Sequence, residues 1–108
     1  MFWNRSSVAE LDPVQVQDLL ARGDVTLIDV REQAEYDAER IEGAVCMPLS
    51  RFDPSGLGVD PAALVLHCLS GKRSAMAASH CKRLGLAAVR HMRGGLVAWK
   101  AAGLPTCR

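Results

Sequence analysis

Two kinds of apolar pattern alternate along this chain. The first is a short, nearly continuous apolar run: Val25-Thr26-Leu27-Ile28-Asp29-Val30, Leu64-Val65-Leu66-His67 and the less regular Ala88-Val89-Arg90-His91-Met92. Such runs read as strands buried on both faces, which implies a parallel sheet covered by helices on each side. The second kind recurs at helical spacing. Val16, Leu19 and Leu20 form one stripe that Gly23 ends. Ahead of it, Asp12 is placed to cap, Pro13 to open the first turn and Gln15 to complete a capping box. Ser74 to Leu84 carries Ala77, Cys81 and Leu84 on one face and stops near Gly85. After a Gly94-Gly95 break, Leu96 to Ala102 forms a last helix, with Gly103 as terminator and Pro105 just beyond.

The stretches between are shorter. Gly43-Ala44-Val45-Cys46-Met47-Pro48 is a brief strand closed by proline, and Arg31 to Glu39 is charged and makes one or two surface turns. Leu49 to Phe52 is a further turn, Asp53 to Gly58 a loop, and a short edge strand is placed around Val8. Residues 1–7 carry no pattern. The alternation predicts an α/β fold: a small, mostly parallel sheet of four to five strands with helices on both faces. At 108 residues the chain suits one domain, residues 1–108, with its core over about 8–105.

Composition narrows the function classes. With 49% hydrophobic and 23% charged residues the chain should be ordered, and a net charge of +1 gives no electrostatic reason to expect nucleic acid or a membrane surface as partner. Met1-Phe2-Trp3-Asn4-Arg5 lacks the apolar stretch of a signal peptide, so reducing cytoplasm is the expected compartment. The cysteines (Cys46, Cys68, Cys81 and Cys107) are therefore expected to be free. None sit at a Cys-x-x-Cys spacing, so neither a metal nor any other cofactor is expected.

The chemistry concentrates at Cys68-Leu69-Ser70-Gly71-Lys72-Arg73-Ser74. A buried strand ends on a cysteine, a polar loop with one glycine follows, and a helix begins. A thiol in that position meets the unpaired N–H groups and positive dipole end of the helix, and Lys72 and Arg73 add two cations. All three influences favour thiolate. Cys68 is thus a candidate nucleophile for an anionic substrate, at the carboxyl end of a strand where α/β sheets bind ligands. Asp29-Val30-Arg31 ends another strand; a buried Asp29 needs a partner, which Arg31 or Arg73 can supply.

These residues resemble a known family. Asp29-Val30-Arg31-Glu32 with Glu35-Tyr36, Ile41-x-Gly43-Ala44 and Pro48 is similar to the opening half of a rhodanese domain. Cys68 to Ser74 resembles its active-site loop, and Gly94-Gly95, Trp99 and Gly103-Leu104-Pro105 resemble its closing helix. The resemblance implies a single-domain thiosulfate sulfurtransferase. Cys68 would take the outer sulfur of a small anionic donor such as thiosulfate, release sulfite, and pass the sulfur from a persulfide to cyanide, a thiol or a protein acceptor. Backbone N–H groups from Leu69, Ser70, Gly71, Lys72, Arg73 and Ser74 would form a nest for that sulfur in an opening beside Cys68. Asp29 and Arg31 would support the loop from behind. One departure stands out: many members carry Gly-His where this chain has Glu39-Arg40, which bears on loop shape and partner choice.

Blander readings compete. Free cysteine is often buried and inert, which suits Cys81 and Cys46. Lys72 and Arg73 can be ordinary solvated charges, and Ser74 reads mainly as a helix cap. His67 should aim away from the thiol because neighbouring strand residues face opposite ways. His80 and His91 have no partner spacing and read as bland, and Cys107 reads as part of a loose tail. The rival functions are a sulfur carrier or protein-interaction module with little small-molecule turnover, and a cysteine phosphatase or arsenate reductase. The latter need Cys-x5-Arg, whereas position 74 is Ser74 and the arginine is one place early.

Overall fold

The computed structural model describes residues 8–108; the unpatterned residues 1–7 lie outside the described part. Five strands form one sheet in the order β1-β5-β4-β2-β3, and every pairing is parallel. In chain order the elements are β1 (Glu10–Leu11), α1 (Pro13–Ala21), β2 (Thr26–Asp29), α2 (Gln33–Ala38), β3 (Val45–Cys46), β4 (Leu64–His67), α3 (Lys72–Arg83), β5 (Arg90–Met92) and α4 (Gly95–Ala101). Short 3₁₀ turns cover Leu49–Arg51, Pro54–Leu57 and Pro61–Ala63. β4, the strand that leads to Cys68, is central.

Strand alternation sorts the apolar side chains into two clusters. Leu27 and Val65 face Val16 of α1 and Leu96 and Trp99 of α4, while Ile28, Leu64 and Leu66 face Ala77, Ala78 and Cys81 of α3. That is the expected layering of helix, sheet and helix. α1 begins as the sequence reads: Asp12 Oδ1 accepts from Gln15 N at 2.8 Å and Gln15 Oε1 accepts from Asp12 N at 2.9 Å.

The charged stretch after β2 makes fewer than two surface turns, as expected, in one short helix, α2, that opens with Glu35 Oε1 accepting from Glu32 N at 3.1 Å. The differences have local causes. The edge strand falls at Glu10–Leu11 rather than around Val8, since Glu10 and Leu11 are what align with His91 and Met92 of β5. α3 starts before Ser74, because Gly71 at φ +102° occupies the cap position with no side chain to offer. The C-terminal tail is not loose: Arg40 and Cys107 exchange backbone hydrogen bonds of 2.9 and 2.8 Å, and Trp99 Nε1 donates to Pro105 O at 2.8 Å. Glu39 adds a clasp by accepting from Lys100 Nζ at 3.0 Å and Thr106 Oγ1 at 2.7 Å. Glu39-Arg40, the pair that departs from the family pattern, is what holds the tail. Among the described residues no helix is long and apolar enough to cross a membrane.

Candidate active site

Cys68 follows the last residue of β4, and its sulfur turns toward the first turn of α3. Gly71 N–H donates to Sγ at 3.1 Å and Ser74 N–H at 3.3 Å, while Ser74 Oγ lies 3.6 Å away. Two N–H groups that the start of α3 would otherwise leave unpaired are thus aimed at one sulfur. Burial pushes the Cys68 thiol up, but the Ser74 hydroxyl and the amides of Ser74, Gly71 and Ser70 outweigh it, and the net pKa lies below the ordinary thiol value. Dipoles, rather than a counter-ion, carry the charge.

The loop keeps this geometry because α4 holds it from behind. Leu96 N donates to Cys68 O at 2.9 Å and Val97 N to Leu69 O at 3.0 Å. The approach needs glycine at 95: a Cβ there would fall 2.5 Å from both carbonyl oxygens, at a φ of +59°. The Gly94-Gly95 break is therefore a structural support of the site, which a turn signal alone does not reveal.

The expected opening over the sulfur is not present. Cys68 is 1% exposed, because the amides that were to cradle an outer sulfur close on Sγ itself. The shell above is thin: Leu69, Ser70 and Lys72 are exposed and Gly71 half-buried. A groove of about 650 Å³ runs along α3 between Leu49, Phe52, Met76 and Arg83, and Cys68 does not line it.

The other sequence candidates fall as follows. Lys72 is exposed at the first position of α3. Arg73 is engaged by Glu35, with Nη1–Oε1 at 2.6 Å and Nη2–Oε2 at 3.0 Å. Ser74 is not a cap; it is buried, and its hydroxyl meets His91 Nδ1 at 2.9 Å. Asp29 and Arg31 form a buried pair at the end of β2, with Arg31 Nε and Nη2 donating to the carboxylate at 3.0 and 2.8 Å, so Arg31 and not Arg73 is the partner. His67 lies beside Asp29 in register. It is 0% exposed, with Nδ1 3.2 Å from Cys68 O and Nε2 3.5 Å from Asp29 Oδ2. Burial lowers its pKa and the Asp29 charge opposes. His91, which the sequence reading passed over, is the one histidine in the sulfur's polar neighbourhood. No group of three or more His, Cys, Asp or Glu is placed to hold a metal ion among the described residues.

A thiol at the carboxyl end of a central parallel strand, gripped by helix-start amides, is the candidate nucleophile of this α/β fold. The comparisons with known proteins name the class. A model of the rhodanese-like domain family matches residues 12–102, and the chain belongs to that sulfurtransferase family. It is 41% identical over 97 residues to the uncharacterized protein slr1261 of Synechocystis, covering 89% of this chain but 54% of that protein, so it spans about half of that relative. It is 34% identical over 101 residues to a sulfurtransferase of Allochromatium vinosum, covering 91% of this chain and 94% of that one. Its fold superposes on the crystal structure of a thiosulfate sulfurtransferase from Pseudomonas aeruginosa with a TM-score of 0.84 at 25% identity, over 94% of this chain and 20% of that one.

Proposed function

We propose that this protein transfers sulfane sulfur through a persulfide on Cys68. The Cys68 thiolate attacks the outer sulfur of a donor such as thiosulfate. A new S–S bond forms, the donor's own S–S bond breaks, and sulfite leaves with the bonding electron pair. Cyanide or a thiolate then attacks the outer sulfur and returns the Cys68 thiolate. The observation that carries this reading is the pair of amides on Sγ, which favours the anionic nucleophile without spending a counter-charge on it. The donor reaches Sγ when the exposed loop residues Leu69 and Ser70 move aside. Lys72 supplies positive charge at the end of that loop. A phosphatase reading has no support in the loop, since Arg73 is held by Glu35 and Ser74 fills the place a terminal arginine would take.

Intact mass after thiosulfate treatment tests the proposal. The native chain should gain one sulfur atom, cyanide should remove it, and Cys68→Ser should gain none; loading that persists in Cys68→Ser would defeat it. The 1% exposure of Cys68 favours one further reading, a carrier whose loop opens against a protein partner. Stoichiometric loading without turnover in excess thiosulfate and cyanide would mark the carrier, and steady turnover the enzyme.

A further inference from the structure

The sulfur of Cys68 is the inner end of a line of four side chains. Sγ lies 3.6 Å from Ser74 Oγ, Ser74 Oγ 2.9 Å from His91 Nδ1, and His91 Nε2 3.0 Å from Glu10 Oε2. The line crosses from the end of β4 through α3 and β5 to β1. It begins at a residue 1% exposed and ends at a side chain 40% exposed. Parallel register makes it possible, because Glu10 and His91 are direct partners across β1 and β5.

The direction of each bond follows from what each group can donate. A carboxylate only accepts, so His91 donates Nε2–H to Glu10, and Nδ1 of the neutral ring accepts the Ser74 hydroxyl proton. Ser74 then accepts from the Cys68 thiol. When the thiol ionises, its proton passes to Ser74 Oγ while the Ser74 proton passes to His91 Nδ1. Cys68 becomes thiolate and His91 imidazolium, while Ser74 and Glu10 end as they began. In that state the Ser74 hydroxyl donates to the sulfur anion and the imidazolium faces Glu10.

We propose that His91 is a positioning residue for Cys68: through Ser74 it takes up the thiol proton and thereby determines whether the Ser74 hydroxyl serves the sulfur. The proposal rests on Cys68 being the reactive sulfur and is independent of which donor loads it. The groups that bias His91 are Glu10 from β1, Ser74 from α3, Cys68 from the end of β4, and Arg93 just beyond β5, whose guanidinium is 4.0 Å from Glu10. Burial holds the His91 pKa below its ordinary value, with the Glu10 charge and hydrogen bond opposing. Burial thus favours the neutral ring, whose Nδ1 accepts from the Ser74 hydroxyl.

The test reads Cys68 itself. Iodoacetamide alkylation is followed against pH in the native chain, in His91→Asn, whose amide can still accept from a hydroxyl but binds no proton, and in Glu10→Gln. His91→Asn should move the Cys68 midpoint up by about one pH unit, roughly a tenfold slower reaction below the midpoint. Glu10→Gln, at the exposed end, should move it the same way by a smaller amount. Reciprocity requires that the His91 ¹⁵N titration midpoint fall in Cys68→Ala. Superimposed alkylation profiles in Glu10→Gln, or in a folded His91→Asn, overturn the proposal, as does a His91 midpoint indifferent to Cys68→Ala. None of these readouts involves sulfur loading, so a chain that fails to take sulfur from thiosulfate leaves them readable.

Discussion

Helix α3 has a cysteine near each end, and the two are driven in opposite directions. Cys68 and Cys81 are equally buried, at 1% and 0% exposed, and belong to the same apolar cluster. Burial raises the pKa of both. At Cys81, in the last turn, that effect prevails and the thiol stays neutral. At Cys68 the Ser74 hydroxyl and the amides of Ser74, Gly71 and Ser70 overcome it. The hydrogen-bond donors around each sulfur explain the contrast, the Ser74 hydroxyl and three amides at Cys68 against only its own backbone N–H at Cys81. N–H groups point out of the start of a helix and carbonyls out of its end, and the Cys81 carbonyl is already taken by Leu84 N and Leu86 N at 3.0 and 2.8 Å. Depth alone therefore does not set the direction of a thiol's shift; the hydrogen-bond donors aimed at its sulfur do.

The strongest way to break this contrast is to push the backbone that aims the amides. Gly95→Ala places a Cβ 2.5 Å from Cys68 O and Leu69 O, so either the loop or the start of α4 must shift. The cost should be about 2–4 kcal/mol in thermal or urea unfolding, with Cys68 alkylation at neutral pH slowed roughly tenfold or more as the amides lose alignment. Unchanged stability and rate in this variant would show that α4 does not hold the loop.

A second experiment leaves the chain intact and separates the two helix ends by pH. In the folded protein Cys68 should alkylate with a midpoint below the ordinary thiol value of about 8.5, while Cys81 should react only in denaturant. The linkage signs are opposite. Cys68, lowered on folding, contributes stability that is complete above about pH 8.5 and is lost as pH falls through its folded value. Cys81, raised on folding, contributes stability that is complete below about pH 8.5 and is lost as pH rises through its folded value. Peptide mapping of the alkylated chain assigns each thiol, and a Cys68 midpoint at or above that of a free thiol would remove the distinction.

The two ends of α3 were also unequally legible. The strand before Cys68 is a continuous apolar run, and the glycine and polar residues after it mark a tight loop. The parallel sheet, and the candidate nucleophile at the end of its central strand, could thus be read locally. What escaped was every partner distant in sequence. Ser74 looked like a cap because nothing near it announces His91, and His91 looked bland because its partner Glu10 sits on an edge strand two residues long. Arg73 reads as a substrate-binding cation or a partner for Asp29, whereas α2 places Glu35 against it, 38 residues away. Cys107 read as loose because a single backbone exchange with Arg40 leaves no pattern in composition. Hydrophobic period reports which face a residue occupies, not which polar group meets it across the fold.

That Arg73–Glu35 pair supplies the smallest and sharpest contrast, between a cation already engaged and Lys72, which is exposed and has no ion-pair partner among the described residues. The pair joins α2 to α3 with both side chains about a third exposed, 32% and 34%. The hydrogen bond to Arg73, opposed by partial burial, holds the Glu35 carboxyl below its usual range. Stability from the pair is therefore present above the ordinary carboxylate value and lost as pH falls through the lowered one. An exposed pair contributes little, so Glu35→Gln should cost about 0.5 kcal/mol. It also leaves the Arg73 charge uncompensated beside Ser74. If the donor is a dianion such as thiosulfate, its KM should fall by about threefold at low salt with kcat unchanged. That gain should vanish near 1 M salt, where screening shortens to about 3 Å. A KM that stays constant at low salt would mean that Arg73 serves the fold alone, leaving Lys72 as the loop's cation toward the donor.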